Sequence, residues 1–422
     1  MQRTLCIAII VAVGVCGPFQ STVLAADDLN DFSEKLKALT EALDNLQDTV
    51  ELQQNRIEQL ERENRTLRKD VDERPAPELS AAPPRPASSL RMQSLNPEIA
   101  VLVNVVGALT ESGEDAEGND RLSVREIELI LGKEVDTYGR LDLTLAIGDF
   151  EEFGIEEAYF TYWALPAGLK ARVGRIRPKI GNATALHLDR LETVDEPLVV
   201  QRYLGVEGLF LTGVEVSAFL PQVSDNLTQE LIVGVMEGGI GEDGTLFGET
   251  RRRPSYYARL RNSWNFSDLT NMQLGAVYLV GSSDAAKDAD VHALGVEATW
   301  TRHLDAVRRI KFQNELYAQF RDTALTPAAT KDPFGYYSLL DFRLSRRWGV
   351  GGRYDWVELA DNAVGNPDDR DQAYTAYLTF FQSEFARIRA QYQHVDFASG
   401  DDDERFFLQF TYVMGVDKHP IQ

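Results

Sequence analysis

Residues 154–181 read GIEEAYFTYWALPAGLKARVGRIRPKIG, two extended runs joined by one tight turn at Leu165-Pro166-Ala167-Gly168. Ala158, Phe160 and Tyr162 alternate with Glu157, Tyr159 and Thr161; past the turn, Leu169, Ala171 and Val173 alternate with Lys170 and Arg172. A period of two is the mark of β-structure. One hairpin does not separate a sheet with one wet face from a barrel wall, but repetition does. Sixteen such segments can be placed between Asn96 and Gly415, the first near 97–109, the fifth near 169–180, the sixth near 208–220 and the last near 404–415. Their connections alternate short and long, as in an up-and-down barrel with turns at one rim and loops at the other. The expected fold is all-β: a 16-stranded antiparallel transmembrane β-barrel over 97–415, preceded by an N-terminal α-helical coiled coil.

The alternation also predicts the outward faces. Ile99, Val101, Val103 and Val105 form one apolar row; Leu141, Leu143, Leu145 and Ile147 form another; Phe406, Leu408, Phe410 and Tyr412 form a third. Aromatic residues such as Trp163, Tyr256, Tyr278 and Trp356 fall near strand ends, where aromatic girdles sit.

With 43 basic and 66 acidic residues the chain carries a formal charge of -23 and a pI near 4.7, which argues against nucleic acid as a partner. The acid is concentrated in predicted loops. Residues 111–120, 361–371 and 396–404 hold fourteen acids against one arginine. Both cysteines, Cys6 and Cys16, fall in residues 1–25, where Arg3, the apolar run Leu5 to Val15 and Val23-Leu24-Ala25 read as a secretory signal peptide. A cysteine-free mature chain suits an oxidising periplasm.

Residues 28–72 carry a heptad pattern, with Leu29, Leu36, Leu43, Val50, Ile57, Asn64 and Val71 at a and Phe32, Leu39, Leu46, Gln53, Leu60 and Leu67 at d. Arg56 and Glu61, and Glu63 and Arg68, are placed to pair across a parallel partner, which predicts a homo-oligomer. Such a rod would reach about 60 Å at ~1.5 Å per residue, into the periplasm. Residues 73–96 are a Pro-rich linker and residues 416–422 a tail beyond the last strand.

The inward faces are too polar for a packed core: Arg259 and Arg261; Lys311, Gln313, Glu315 and Gln319; Arg387, Arg389, Gln391 and Gln393. Unpaired charge in a dry interior costs several kcal/mol, so these rows predict a wet lumen. Arg172, Arg343 and Arg353 belong to it, with the acids Asp142, Glu157, Glu215, Glu297, Asp341 and Asp355. One reading pairs these charges across the wall; the other makes the arginines a track for anions. The longest connection, 182–207, follows directly and is placed to fold inward, which would put Arg175, Arg177 and Lys179 at its entrance.

The signal peptide, coiled coil and sixteen strands, together with Glu156-Glu157-Ala158-Tyr159-Phe160 and then Gly174-Arg175-Ile176-Arg177-Pro178-Lys179, resemble the phosphate-selective porins of the O and P type. The resemblance spans roughly residues 28–415. It implies a trimeric outer-membrane channel with anion preference, and carries over Arg175, Arg177 and Lys179. Residues 182–207 depart from the family pattern, holding Arg190 and Arg202 against Asp189, Glu192, Asp195, Glu196 and Glu207, without a lysine cluster. The chain also ends VMGVDKHPIQ rather than on an aromatic residue.

The expectation is an outer-membrane porin passing small hydrophilic solutes by diffusion, with a phosphate-like anion preference. Its pore-lining set is Arg172, Arg175, Arg177, Lys179, Arg259, Arg261, Arg353, Arg387 and Arg389. Its partners are membrane lipid, lipopolysaccharide and further copies of the chain, in trimers joined through the coiled coil and barrel wall. The alternatives are a structural envelope tether and a cation or divalent-metal route. No enzyme, cofactor or metal is expected: His187, His292, His303, His394 and His419 show no ligand spacing, and neither Gly-x-Ser-x-Gly nor a phosphate loop is present.

Overall fold

Alternating side chains with one apolar and one polar row close best as a ring, because a ring leaves no strand edge unpaired. A computed structural model of the chain has that form. It describes residues 59, 62, 97–111, 121–148, 154–206, 208–238, 246–247, 253–282 and 289–415. The chain divides into two units, Met1–Ser89 and Leu90–Gln422. In the first, only Gln59 and Arg62 are described, both helical. The signal peptide, nearly all of the coiled coil, the linker and the tail therefore lie outside the described residues.

The second unit is a closed barrel in which each strand pairs with its neighbours in sequence and the last with the first. The strands are β1 (Glu98–Thr110), β2 (Arg121–Glu134), β3 (Gly139–Ile147), β4 (Gly154–Tyr162), β5 (Lys170–Ile176), β6 (Leu211–Phe219), β7 (Leu227–Met236) and β8 (Ser255–Ser267). They continue as β9 (Thr270–Ser282), β10 (Asp290–His303), β11 (Arg309–Arg321), β12 (Phe334–Arg343), β13 (Trp348–Glu358), β14 (Arg370–Ser383), β15 (Ala386–Asp396) and β16 (Asp402–Gly415). All pairs are antiparallel, and Ala100 opposite Gly415 closes the ring, putting both barrel ends at the rim of short turns such as 268–269 and 384–385.

Outward rows follow the expected parity. In β1, Ala100, Leu102, Asn104 and Val106 are buried while Ile99, Val101, Val103 and Val105 are more exposed. The expected fifth strand proves too long: β5 stops at Ile176, because Pro178 offers no N–H to a ladder. Within β5, Gly174 has φ +136, and a Cβ there would lie 2.1 Å from the Ala158 carbonyl oxygen of β4. Gly174→Ala is expected to destabilise the barrel by about 1–3 kcal/mol, seen as a lower temperature for the loss of its compact electrophoretic form.

Four bulges break the period; those at Phe266 and Gln382 adjoin short turns, and the other two lie between β1 and β2 and between β3 and β4. Asn104 and Val105 of β1 face Glu126 and Val124 of β2, so Arg125 is an extra residue. Thr144 and Leu145 of β3 face Glu157 and Ile155 of β4, so Glu156 is extra. A bulge re-aims side chains. Arg125 and Glu156 lie beside the segment that enters the lumen, Arg125 donating to the Val194 carbonyl (2.6 Å) and Glu156 standing 3.1 Å from His187.

Candidate functional site in the barrel lumen

The 34-residue connection 177–210 turns into the barrel. It enters where the Glu315 carboxylate of β11 accepts the backbone N–H groups of Asn182 (3.0 Å) and Ala183 (2.7 Å). Farther on, the Val194 N–H donates to Gln391 of β15 (2.7 Å) and the Leu198 N–H to Asp355 of β13 (3.1 Å). That second bond sits at the start of α1 (Leu198–Leu204). Leu198, Val199, Val200, Tyr203 and Leu204 of α1 are buried in an apolar cluster with Leu211, Ile232, Leu279, Tyr337 and Val357 of the wall. This part of the lumen is therefore a packed core, which the expectation of a wholly wet interior missed. Such packing requires apolar inward positions, and Leu211, Ile232 and Leu279 supply them.

The arginines expected in the lumen mostly hold this segment. Arg353 (β13) donates to Asp195 Oδ2 (2.9 Å), to the carbonyls of Asp195 (2.8 Å) and Glu196 (3.2 Å) and to Asp355 (2.7 Å). Arg389 donates to the Thr193 carbonyl (2.8 Å) and Arg387 to that of Asp189. Arg259 pairs with Glu297 and donates to the Lys179 carbonyl (3.1 Å). Arg172 makes a two-pronged pair with Glu215 (2.7 and 2.9 Å), and Arg261 pairs with Glu230. Arg177 reaches the Leu186 carbonyl and stacks over Phe210. Buried charge paired and hydrogen-bonded in this way is tolerated, and removing one partner is costly. Arg175 is the exception. It sits opposite Ala158 on the face of Val173, and its Nε donates to the Glu156 carbonyl (3.2 Å). Strict alternation after Arg172 puts residues three apart on opposite faces, so Arg175 does not join the row of Arg172.

Two cavities run beside the segment and a third lies toward the rim of short turns. The first, of about 440 Å³ between the segment and β2–β5, is lined by Arg140, Lys170, Arg172, Arg177, Lys179 and Arg190, with Glu128, Asp142 and Glu157 as its acids. Leu186 and Arg190 also line the second, of about 300 Å³; there Arg190 pairs with Asp189 (2.8 Å), and Arg309, Arg343, Arg387 and Arg389 stand beside Glu192 and Asp341. Arg343 and Phe381 link that cavity to the third, of about 470 Å³, which includes Arg346 and Arg347 of the turn at 344–347. Burial lowers the Lys179 ammonium, and the neighbouring Arg172 lowers it further.

In the second cavity the cations are not fully neutralised. Arg309 and Arg343 are direct cross-strand partners, an unfavourable pairing of like charges. Arg309 Nε, Arg343 Nη1 and Arg387 Nε are buried without an acceptor among the described residues. Glu192 is held below the usual carboxylate range despite its burial, by Lys311 at 2.7 Å. Asp195 is likewise held down, against burial, by Arg353 with Gln391 and Gln393.

His187, which shows no ligand spacing in the sequence, lies among carboxylates. Its Nδ1 is 3.1 Å from Glu156 Oε2 and 3.7 Å from Glu128 Oε1, and its Nε2 is 3.5 Å from Glu157 Oε2. Burial and Arg177 oppose its charge, yet Glu156, Glu157 and Glu128 carry it up to about 10. Burial pushes Glu196 up to about 8, against Arg177 and Arg353 and with Glu315 and Asp195. Both folded pKa values are raised, so both contributions fade with rising pH. That of His187 is complete below 6.5 and is lost through about 10; that of Glu196 is complete below 4.5 and is lost through about 8. Raising the pH from about 7 to about 10 is therefore expected to loosen the inward segment. Single-channel conductance and its noise should both rise; a flat profile would show that neither group holds it.

No protein-family model matches the chain. It belongs to the same family as an uncharacterized protein of Aquifex aeolicus (strain VF5), 31% identical over 327 residues, which are 69% of this chain and 68% of that one. Among solved structures it is similar to OprB of Pseudomonas putida, with TM-score 0.53, 11% identity, and 76% and 94% of the two chains covered. An anion-selective porin from Comamonas acidovorans aligns with TM-score 0.51, 11% identity, and 76% and 99% covered. Salmonella typhi OmpF, solved with daunomycin, aligns with TM-score 0.52, 9% identity, and 75% and 97% covered. The shared feature is the fold, a closed barrel of the outer-membrane porin kind.

Proposed function

We propose that this chain is an outer-membrane diffusion channel that passes small hydrophilic solutes and favours anions. The observation that carries the reading is the sign of the lumen. A chain of formal charge -23 lines the 300 Å³ cavity beside its inward segment with Arg309, Arg343, Arg387 and Arg389 against Glu192 and Asp341, and three of these arginines keep a buried N–H without an acceptor among the described residues. The likeness to an anion-selective porin supports it at the level of fold. Phosphate is one anion of suitable size, although the basic groups are arginines on the strands and not lysines of the segment itself.

The channel assembles as a trimer through its barrel wall and through the predicted coiled coil at 28–72, which projects into the periplasm. Lipid and lipopolysaccharide surround the outward rows. Purified trimer in a planar bilayer under a tenfold potassium chloride gradient should give a reversal potential of anion-selective sign. A cation-selective sign would overturn the preference, and no conductance at all would favour a structural tether. Deleting residues 28–71 should leave conductance intact while weakening the trimer, read as mobility of unheated protein; a trimer of unchanged stability would remove the coiled coil from assembly.

A further inference from the structure

The cluster around His187 borders the 440 Å³ cavity, and its arrangement is that of a ligand set. His187 Nδ1, a Glu128 oxygen and a Glu156 oxygen all lie within 4.8 Å of one another. We propose that these three side chains bind a divalent transition-metal cation of the zinc type, which ties the inward segment to β2 and β4.

Three observations point there. First, Glu128 is 2% exposed, and its Oε1, like Glu156 Oε2, finds no hydrogen-bond donor of proper geometry. Both oxygens face the same nitrogen, and one N–H cannot satisfy two carboxylates; a cation between them can. Second, ligand atoms held at ~2.0–2.1 Å around a tetrahedral centre stand about 3.4 Å apart. The distances from Nδ1 to the two oxygens, 3.1 and 3.7 Å, bracket that spacing. Third, the other ring nitrogen faces Glu157, whose second oxygen is fixed by the Arg177 backbone N–H at 3.0 Å. An acceptor on the far nitrogen, itself anchored, fixes the tautomer and orientation of a metal-ligating imidazole.

The local charge agrees. Carboxylate oxygens of Glu128, Glu156 and Glu157 all stand within 3.7 Å of the one imidazole, so a divalent ion there offsets the repulsion among them. One imidazole and two carboxylates suit zinc or manganese better than calcium, which takes six or more oxygens. Glu128, Glu157 and His187 line the 440 Å³ cavity, which gives the ion an entry path. The bulge at Glu156 is what turns two consecutive glutamates toward one histidine. The inference does not rest on anion permeation: the pore conducts in either case.

The test uses full-length mature protein in detergent, stripped with chelator and titrated with zinc chloride by equilibrium dialysis. One equivalent per chain is expected. It should be lost in His187→Gln and weakened at least tenfold in Glu128→Gln, and kept in His394→Ala, whose histidine meets a single carboxylate on the outer wall. Heat-modifiable mobility reports that each barrel is folded. Zinc-edge absorption on the wild-type protein gives a reading free of variants, with one imidazole and otherwise oxygen ligands expected. No stoichiometric binding, binding unchanged in folded His187→Gln, or a shell with two imidazoles would each overturn the proposal.

Discussion

Replacing both Arg309 and Arg343 by glutamate is expected to lower the anion-to-cation permeability ratio at least tenfold, a change of about 1.4 kcal/mol. The two lie opposite each other on β11 and β12 and line the 300 Å³ cavity, which Arg343 joins to the rim. Neither holds the inward segment. Arg309 has only a 3.7 Å pair with Asp341, and Arg343 lies over the Phe381 ring with Nη1 lacking an acceptor. Their charge is thus available to a passing ion, whereas that of Arg353 is absorbed by Asp195 and Asp355. A unit charge at ~8 Å and an effective dielectric of about 20 contributes ~2 kcal/mol, so reversing two charges exceeds the threshold even after screening by salt. Arg308→Glu is the control, since that residue is exposed in a turn and pairs with Asp305. A reversal potential unchanged in the double variant would place the preference elsewhere, and wild-type inversion would place it in the acidic loops.

The barrel was legible because its physics repeats. A period of two written sixteen times names the strands, and the alternation of short and long connections names the rims. The direction of the inward segment was legible from its length alone. What it touches was not, since Glu315, Gln391 and Arg353 lie more than a hundred residues from their partners along the chain, and nothing in their spacing encodes the meeting. The arginine track was read as free charge competing with paired charge. The structure divides it: Arg172, Arg259 and Arg353 are paired, while Arg343 retains excess beside Arg309, which the sequence reading did not single out. The His187 cluster depends on the bulge that makes Glu156 an extra residue, and a bulge is a fault in the period that period counting passes over.

The segment itself should come loose when Arg353 becomes methionine. That side chain is fully enclosed and ties together Thr193, Asp195, Glu196 and Asp355. Methionine keeps much of the volume but leaves two buried carboxylates without their cation, and breaking a buried pair in this way costs about 3–5 kcal/mol. The loss falls on 193–198, where Asp355 also accepts the Leu198 N–H at the start of α1. The ring of strand pairs does not pass through these bonds, so the barrel should keep its heat-modifiable mobility. The expected result is faster tryptic cleavage after Arg190 or Arg202, together with a larger and noisier conductance. Adding Asp195→Asn and Asp355→Asn to the variant should recover part of the protection, because the stranded charges are gone while their hydrogen bonds to Gln391, Gln393 and the Leu198 N–H can persist. If Arg353→Met is as resistant as the wild type, the apolar packing of Val199, Val200 and Tyr203 against the wall is what holds the segment, and the arginine only fixes its register.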